Sequence, residues 1–192
     1  MKTIKYLFIT LLTSTLFVAC SSDDDNPPPV NEEEVITTMT ITLTPQGAGD
    51  TVTLQTRDLD GDGPNAPLVT VTGNLSLNTT YNGSVILLDE SDPDDVENIT
   101  EEVQEESDEH QFFYTLSNNL GTVSYSDLDE NNNPVGLLFS LQTVASTTAT
   151  EGLFTATLRH ELNKDAEGVS NGNIANAGGE TDISESFTVS IQ

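Results

Sequence analysis

From residue 35 onward the chain alternates apolar and polar residues with a period of two, and this alternation restricts its fold more than any other feature. Met39, Ile41 and Leu43 interleave with Thr38, Thr40, Thr42 and Thr44; Val52 and Leu54 interleave with Thr51 and Thr53. The pattern returns at Val123 and Tyr125, at Val135, Leu137, Phe139 and Leu141, and at Phe154, Ala156 and Leu158. It is cleanest at the end, where Ile183, Phe187, Val189 and Ile191 alternate with Ser184, Ser186, Thr188 and Ser190. Successive side chains of a strand point to opposite faces, so each segment reads as a strand with one buried face. PQGAGD, DLDGDGPNAP, NNLG, DLDENNNP and a polar loop over 163–179 separate the segments as turn signals. About eight or nine short strands at this spacing predict a mainly β chain folded as an antiparallel β-sandwich.

The piece NLSLNTTYNGSVILL, Asn74 to Leu88, resembles the L-x-x-x-T-x-Y corner of fibronectin type III and related immunoglobulin-like domains, with Tyr81 as the corner tyrosine. The resemblance implies an immunoglobulin-like sandwich. Asn82-Gly83 in the same piece is a competing signal for a tight hairpin turn. One segment departs from the strand pattern. After Asp92 and Pro93, a cap followed by a first helical residue, Val96, Ile99 and Val103 fall at helical spacing and predict one short acidic helix over about 93–107. Glu97 with Glu101, Glu101 with Glu105 and Glu102 with Glu106 are like-charged pairs at i,i+4, each costing about 0.2 to 0.5 kcal/mol. Packing or a bound cation has to compensate.

The region ahead of the domain is of another kind. Lys2 and Lys5 precede an apolar run, Tyr6 to Val18, that is short for a membrane span, and Phe17-Val18-Ala19-Cys20 follows. This resembles the lipobox of bacterial lipoproteins, which implies a signal peptide over 1–19 and lipidation of Cys20. Cys20 is the chain's single cysteine, which excludes an intramolecular disulfide. Residues 20–34, with Asp23, Asp24, Asp25 and three consecutive prolines, predict a disordered acidic tether of roughly 40 Å when extended. The acids behind the cysteine resemble the export signal of Bacteroidota lipoproteins. The implied location is the outer membrane, lipid-anchored and facing the cell surface, with the periplasmic face as the alternative. The β-sandwich domain then covers 35–192.

Without Lys2 and Lys5, three bases face all 32 acids, a formal charge of −29. Nucleic acid and anionic lipid both need basic patches, so neither is an expected partner. Cations and basic partners are. His110 shares the parity of Phe112, Tyr114 and Leu116, and His160 that of Phe154, Ala156 and Leu158, so both continue an apolar face. His110 opens its strand and His160 closes its own, so antiparallel pairing would bring them to one end of the sandwich. Imidazole is a common ligand for zinc, copper and nickel, and Glu106, Asp108, Glu109 and Glu161 lie close enough in sequence to complete a transition-metal site.

Two loops carry a different metal signal. In DLDGDG, Asp58, Asp60 and Asp62 place carboxylates at alternate positions before a glycine, as at the front of a calcium loop, and Asp127, Asp129 and Asn131 echo it in DLDENN. Neither is an EF-hand, because position twelve falls on Val69 and Leu138, where a bidentate acid is required. Aspartate–glycine clusters are also ordinary turns. No arrangement of nucleophile, histidine and acid and no phosphate-cradling loop stands out, so the expectation is a protein that is not an enzyme.

The blocks DLDGDGPNAP, TTYNGSVILLDE, NITEEVQEESDEHQFFY, TLRHELNKDAEGV and NAGGETDISESFTVSIQ resemble a family of small flavobacterial lipoproteins, often labelled with a type 1 periplasmic-binding fold. That label implies alternating strands and helices over a longer chain, which the residues here argue against. The resemblance also implies an association with TonB-dependent outer-membrane transporters. The function expected is therefore a surface lipoprotein that acts as a non-catalytic binding module for a cation or a transporter. The alternative is a structural or adhesive protein stiffened by calcium.

Overall fold

The computed structural model describes residues 34–192 apart from Asp62 and Ala149. Among them the alternating segments form nine strands in two antiparallel sheets. The larger sheet contains β1 (Thr38–Pro45), β2 (Val52–Arg57), β3 (Leu68–Thr72), β4 (Thr80–Leu88), β6 (Gly121–Tyr125) and β7 (Leu138–Thr143), in the order β3-β2-β1-β4-β7-β6. The smaller contains β5 (His110–Leu116), β8 (Glu151–His160) and β9 (Glu180–Ser190), with β8 in the middle. Register brings the apolar rows onto shared faces. Ile41 stands opposite both Leu54 and Val85, and Phe112 stands opposite Leu158. The two inner faces meet in one core that includes Met39, Ile41, Leu87, Phe139 and Leu141 from the large sheet and Phe112, Phe154, Leu158, Phe187 and Val189 from the small one. Each fully buried side chain of this kind contributes about 1.5 to 3 kcal/mol relative to exposure.

The tyrosine corner forms: the Tyr81 hydroxyl accepts a hydrogen bond from the Ser76 N–H at 2.8 Å. The nine strands divide six and three, whereas a seven-stranded immunoglobulin domain divides four and three. The competing hairpin at Asn82-Gly83 is not present, because β4 runs straight through both residues. Gly83 has a packing role instead. A Cβ there would lie 2.3 Å from the Phe139 ring, which covers the position.

The helix is shorter than the sequence suggests. α1 spans Ile99–Glu105, and Asp92 and Pro93 belong to a turn in which the Asp94 N–H donates to Asp92 Oδ1 at 3.0 Å. Asp89 and Glu97 then form an isolated antiparallel bridge, which keeps the chain out of helix until Asn98. Val96 is consequently half exposed, while Ile99 and Val103 are buried in the main core. Thr100 fastens the helix to β4, its hydroxyl accepting from the Leu87 N–H at 2.8 Å and donating to the Leu87 carbonyl at 3.1 Å.

The loop over 163–179 is not merely polar. Leu162, Val169 and Ala177 pack with Phe113 in a second small core on the outer face of β5, and Gln111 Nε2 donates to the Val169 carbonyl at 2.9 Å. Both faces of β5 are therefore covered. Among the described residues no helix is long and apolar enough to cross a membrane. The signal peptide over 1–19, Cys20 and the tether up to residue 33 lie outside the described residues.

Candidate metal centre

The β5–β8 register sets His110 directly opposite His160. The two imidazoles stack with ring centroids 4.3 Å apart and planes 13° from parallel, and both residues are buried. The turn between α1 and β5 fixes the first ring. Its Glu106 carbonyl accepts from the Glu109 N–H at 2.9 Å and from His110 Nδ1 at 3.0 Å. A carbonyl can only accept, so the neutral His110 ring carries its proton on Nδ1 and a lone pair on Nε2. Burial pushes this imidazole down to about 4, against the pull of the Glu106 hydrogen bond, so the ring is neutral at physiological pH. Nε2 of neither histidine makes a hydrogen bond.

Asp182 faces the pair. His110 Nε2 lies 3.8 Å from its Oδ2 and His160 Nδ1 lies 3.9 Å from its Oδ1, and the Asp182 side chain is 1% exposed. By simple alternation Asp182 would sit with the solvent-facing serines of β9. A register shift intervenes: Leu158 pairs with Ile183, but Arg159 pairs with Thr181 and His160 with Glu180, leaving Asp182 as the extra residue of a β-bulge. A bulge turns one side chain away from its alternating face, here onto the histidines. The same end of β9 is held close to β8 by Gly179, where a Cβ would lie 2.1 Å from the His160 carbonyl oxygen.

Acids surround this buried floor. Donor atoms of Glu106, His110 and His160 lie within 4.8 Å of one another. Glu109 Oε2 stands 3.5 Å from His160 Nε2, on a side chain that is half exposed. Asp108 is exposed and acts on His110 through its charge. Glu161 is also exposed, in a left-handed backbone conformation, and does not belong to the cluster of candidate donors. Glu34, which composition assigns to the tether, folds against the domain instead. Burial, a hydrogen bond with Glu102 and the charges of Glu102, Glu106 and Asp182 raise its carboxyl to about 7.

Glu106, His110 and His160 are close enough together to hold a metal ion. A neutral imidazole with its Nδ1–H on a backbone carbonyl is how proteins orient a metal-binding histidine. Zinc at about 2.0 to 2.2 Å from tetrahedral N and O donors sets those donors roughly 3.3 Å apart. The separations of 3.8 and 3.9 Å around Asp182 need about half an ångström of contraction to reach that value.

The two acidic loops differ from this site. Asp127 accepts the N–H groups of Gly136 at 2.8 Å and Leu138 at 2.9 Å. Asp129 accepts those of Asn131 and Asn133, and its other oxygen takes the buried Lys164 ammonium at 2.9 Å. Lys164 donates in addition to the Ser107 and Pro134 carbonyls. The chain's own cation therefore stands in the DLDENN loop, and Asn131 serves it through its backbone. Burial lowers the Lys164 pKa, partly offset by Asp129. In DLDGDG, Asp60 binds the Asn65 N–H and side-chain amide, as in a turn; Asp58 lies beside it, and Asp62 is outside the described residues.

No family model, curated protein or solved structure matches this chain.

Proposed function

We propose that this chain is a non-catalytic cation-binding module, held on the outer-membrane surface by lipid on Cys20. It takes a transition metal such as zinc between His110, His160 and Asp182, with Glu106 at the mouth. The observation that carries this reading is the stacked, buried histidine pair, neither Nε2 of which has a hydrogen-bond partner. Unpartnered buried nitrogens are costly in a folded core, and here His110 Nε2 faces Asp182 Oδ2 while His160 Nε2 faces Glu109 Oε2, an arrangement that suits a cation between nitrogen and carboxylate. Nitrogen donors also favour zinc, copper or nickel over calcium. A formal charge of −29 concentrates cations near the surface from which the site would fill.

Isothermal titration of zinc into the mature chain, carrying Cys20→Ser to keep it free of lipid, tests the reading. The expected result is one zinc per chain, lost in His110→Ala and in His160→Ala. Absence of zinc binding, or equal binding by both variants, contradicts it. Thermal stabilisation by calcium and not by zinc transfers the function to the calcium-stiffened alternative. Protease shaving of intact cells tests surface display, and co-purification with a TonB-dependent transporter tests the partner.

A further inference from the structure

A cavity of about 320 Å³ opens between α1, β4 and the segment that leads from β6 into β7, and it shares no residue with the histidine site. Val85, Val135, Leu137 and Leu138 give it an apolar wall, while Gln104, Ser107 and Asp127 line it with polar side chains. Hydrogen bonds within the chain tie its frame. The Thr100 hydroxyl bonds both the N–H and the carbonyl of Leu87, the Val85 N–H donates to the Leu137 carbonyl at 2.9 Å, and the Ser126 N–H donates to the Leu138 carbonyl at 2.9 Å. A preformed cavity of this size, apolar with a few polar groups on its lining, is the usual form of a small-molecule site. Leu128 and Leu138, 59% and 51% exposed, both border it, so exposed apolar surface gathers there.

We propose that this cavity binds a small primary amine, with the ammonium group at Asp127 and the apolar body against Val85, Val135, Leu137 and Leu138. The polar lining offers acceptors and no positive charge. Asp127 spends one lone pair of each carboxylate oxygen, Oδ1 on the Gly136 N–H at 2.8 Å and Oδ2 on the Leu138 N–H at 2.9 Å, so each oxygen keeps another. Those two bonds fix the carboxylate at the cavity without using it up. The side chains of Gln104 and Ser107 make no hydrogen bond among the described residues, which leaves the Gln104 carbonyl and the Ser107 hydroxyl as open acceptors. An ammonium group has three donors and no acceptor, and so suits this set. Lys164 lies near enough for its charge to act with that of Asp127, yet its own donors go to Asp129 and to the carbonyls of Ser107 and Pro134, and none reaches Asp127. An anionic ligand would instead meet the Asp127 carboxylate and the acidic surface around it.

Chemical-shift titration of the mature chain carrying Cys20→Ser, with phenethylamine and with phenethyl alcohol as its neutral counterpart, tests the proposal. The amine should give saturable shifts at the amides of Gln104, Ser107, Gly136 and Leu138, and the alcohol should bind roughly tenfold or more weakly. Asp127→Asn should weaken the amine by a similar factor. Because Asp127 also holds two backbone N–H groups, Gln104→Trp serves as a second variant: it fills the cavity from an exposed helix position, leaves Asp127 in place and should abolish binding. Equal affinity for amine and alcohol, or unchanged amine binding in a folded Asp127→Asn protein or in Gln104→Trp, overturns the proposal. So does the absence of any saturable shift at these amides. Shifts that spread over the acidic surface and vanish in high salt overturn it as well, as unspecific attraction of a cation.

Discussion

Two buried polar clusters hydrogen-bond to carbonyls of the turn from Glu106 to Glu109, Lys164 at Ser107 and His110 at Glu106, and they handle charge in opposite ways. On one side the Lys164 ammonium reaches Asp129 Oδ2 and the carbonyls of Ser107 and Pro134, so every strong donor and acceptor is matched within the chain. On the other side His110 and His160 stack on each other beside Asp182, with Nε2 atoms that make no hydrogen bond and further acids at the rim. A fully matched ionic pocket fixes a loop and has no need of a ligand. On the proposed function, the lone pairs and carboxylates of the second pocket take a cation from outside. On that proposal the same chain carries one pocket filled by its own lysine and another filled by a metal ion.

The strongest test of the contrast is Lys164→Ala. It leaves the Asp129 carboxylate buried without its counter-charge and should cost about 3 to 5 kcal/mol in urea denaturation, while the histidine pocket stays geometrically intact. Acid separates the pockets by where stability is lost. The folded His110 pKa of about 4 lies below its unfolded value, so the unfolded chain takes up that proton first as pH falls. Its contribution is fully present above about pH 6.5 and is lost toward pH 4, roughly 3 kcal/mol in metal-free protein. On the other side, burial raises the Asp129 pKa, but the Lys164 hydrogen bond and the Asn133 N–H outweigh it and hold the carboxyl below its usual value of 3.8. Its contribution is present above that value and disappears only as pH falls below it. Chemical denaturation between pH 7 and pH 3 should show the two losses in that order, and His110→Ala should remove the first.

Zinc should act on one pocket alone. At a hundredfold excess over the dissociation constant it stabilises a folded site by about 2.7 kcal/mol, an increment that Lys164→Ala should keep and His110→Ala should lose. Gly179→Ala should cost about 1 to 3 kcal/mol and weaken zinc binding, because its Cβ would be driven against the His160 carbonyl in a left-handed backbone conformation. The smallest effect belongs to Glu161→Gln. Glu161 is exposed and outside the donor cluster, so stability should change by less than about 0.5 kcal/mol and zinc affinity should stay as it was.

How much of this was readable from sequence depended on whether alternation survived locally. The strands and the meeting of His110 with His160 were legible because period two holds from His110 to Leu116 and from Phe154 to His160, so parity alone placed both rings inward. Asp182 was not legible. The bulge that turns it inward adds one residue to β9 without leaving a mark on the pattern of types, and simple alternation assigns it to solvent. Glu34 was hidden differently, since proline and acid composition describe the segment before it and nothing local reports that Glu102 and Glu106 come alongside. The overlong helix has its own cause. Asp92-Pro93 is as good a start for a turn as for a helix, and only the bridge between Asp89 and Glu97, a tertiary feature, decides between them.

The contrast between the pockets can be tested most directly by locating zinc in crystals of the mature chain from anomalous differences at the zinc edge. One peak is expected, about 2.0 to 2.1 Å from His110 Nε2 and within bonding distance of Asp182 and a His160 nitrogen, with no peak at Asp127 or Asp129. A peak in the Asp127–Asn131 loop, or none beside the histidines at saturating zinc, contradicts the account.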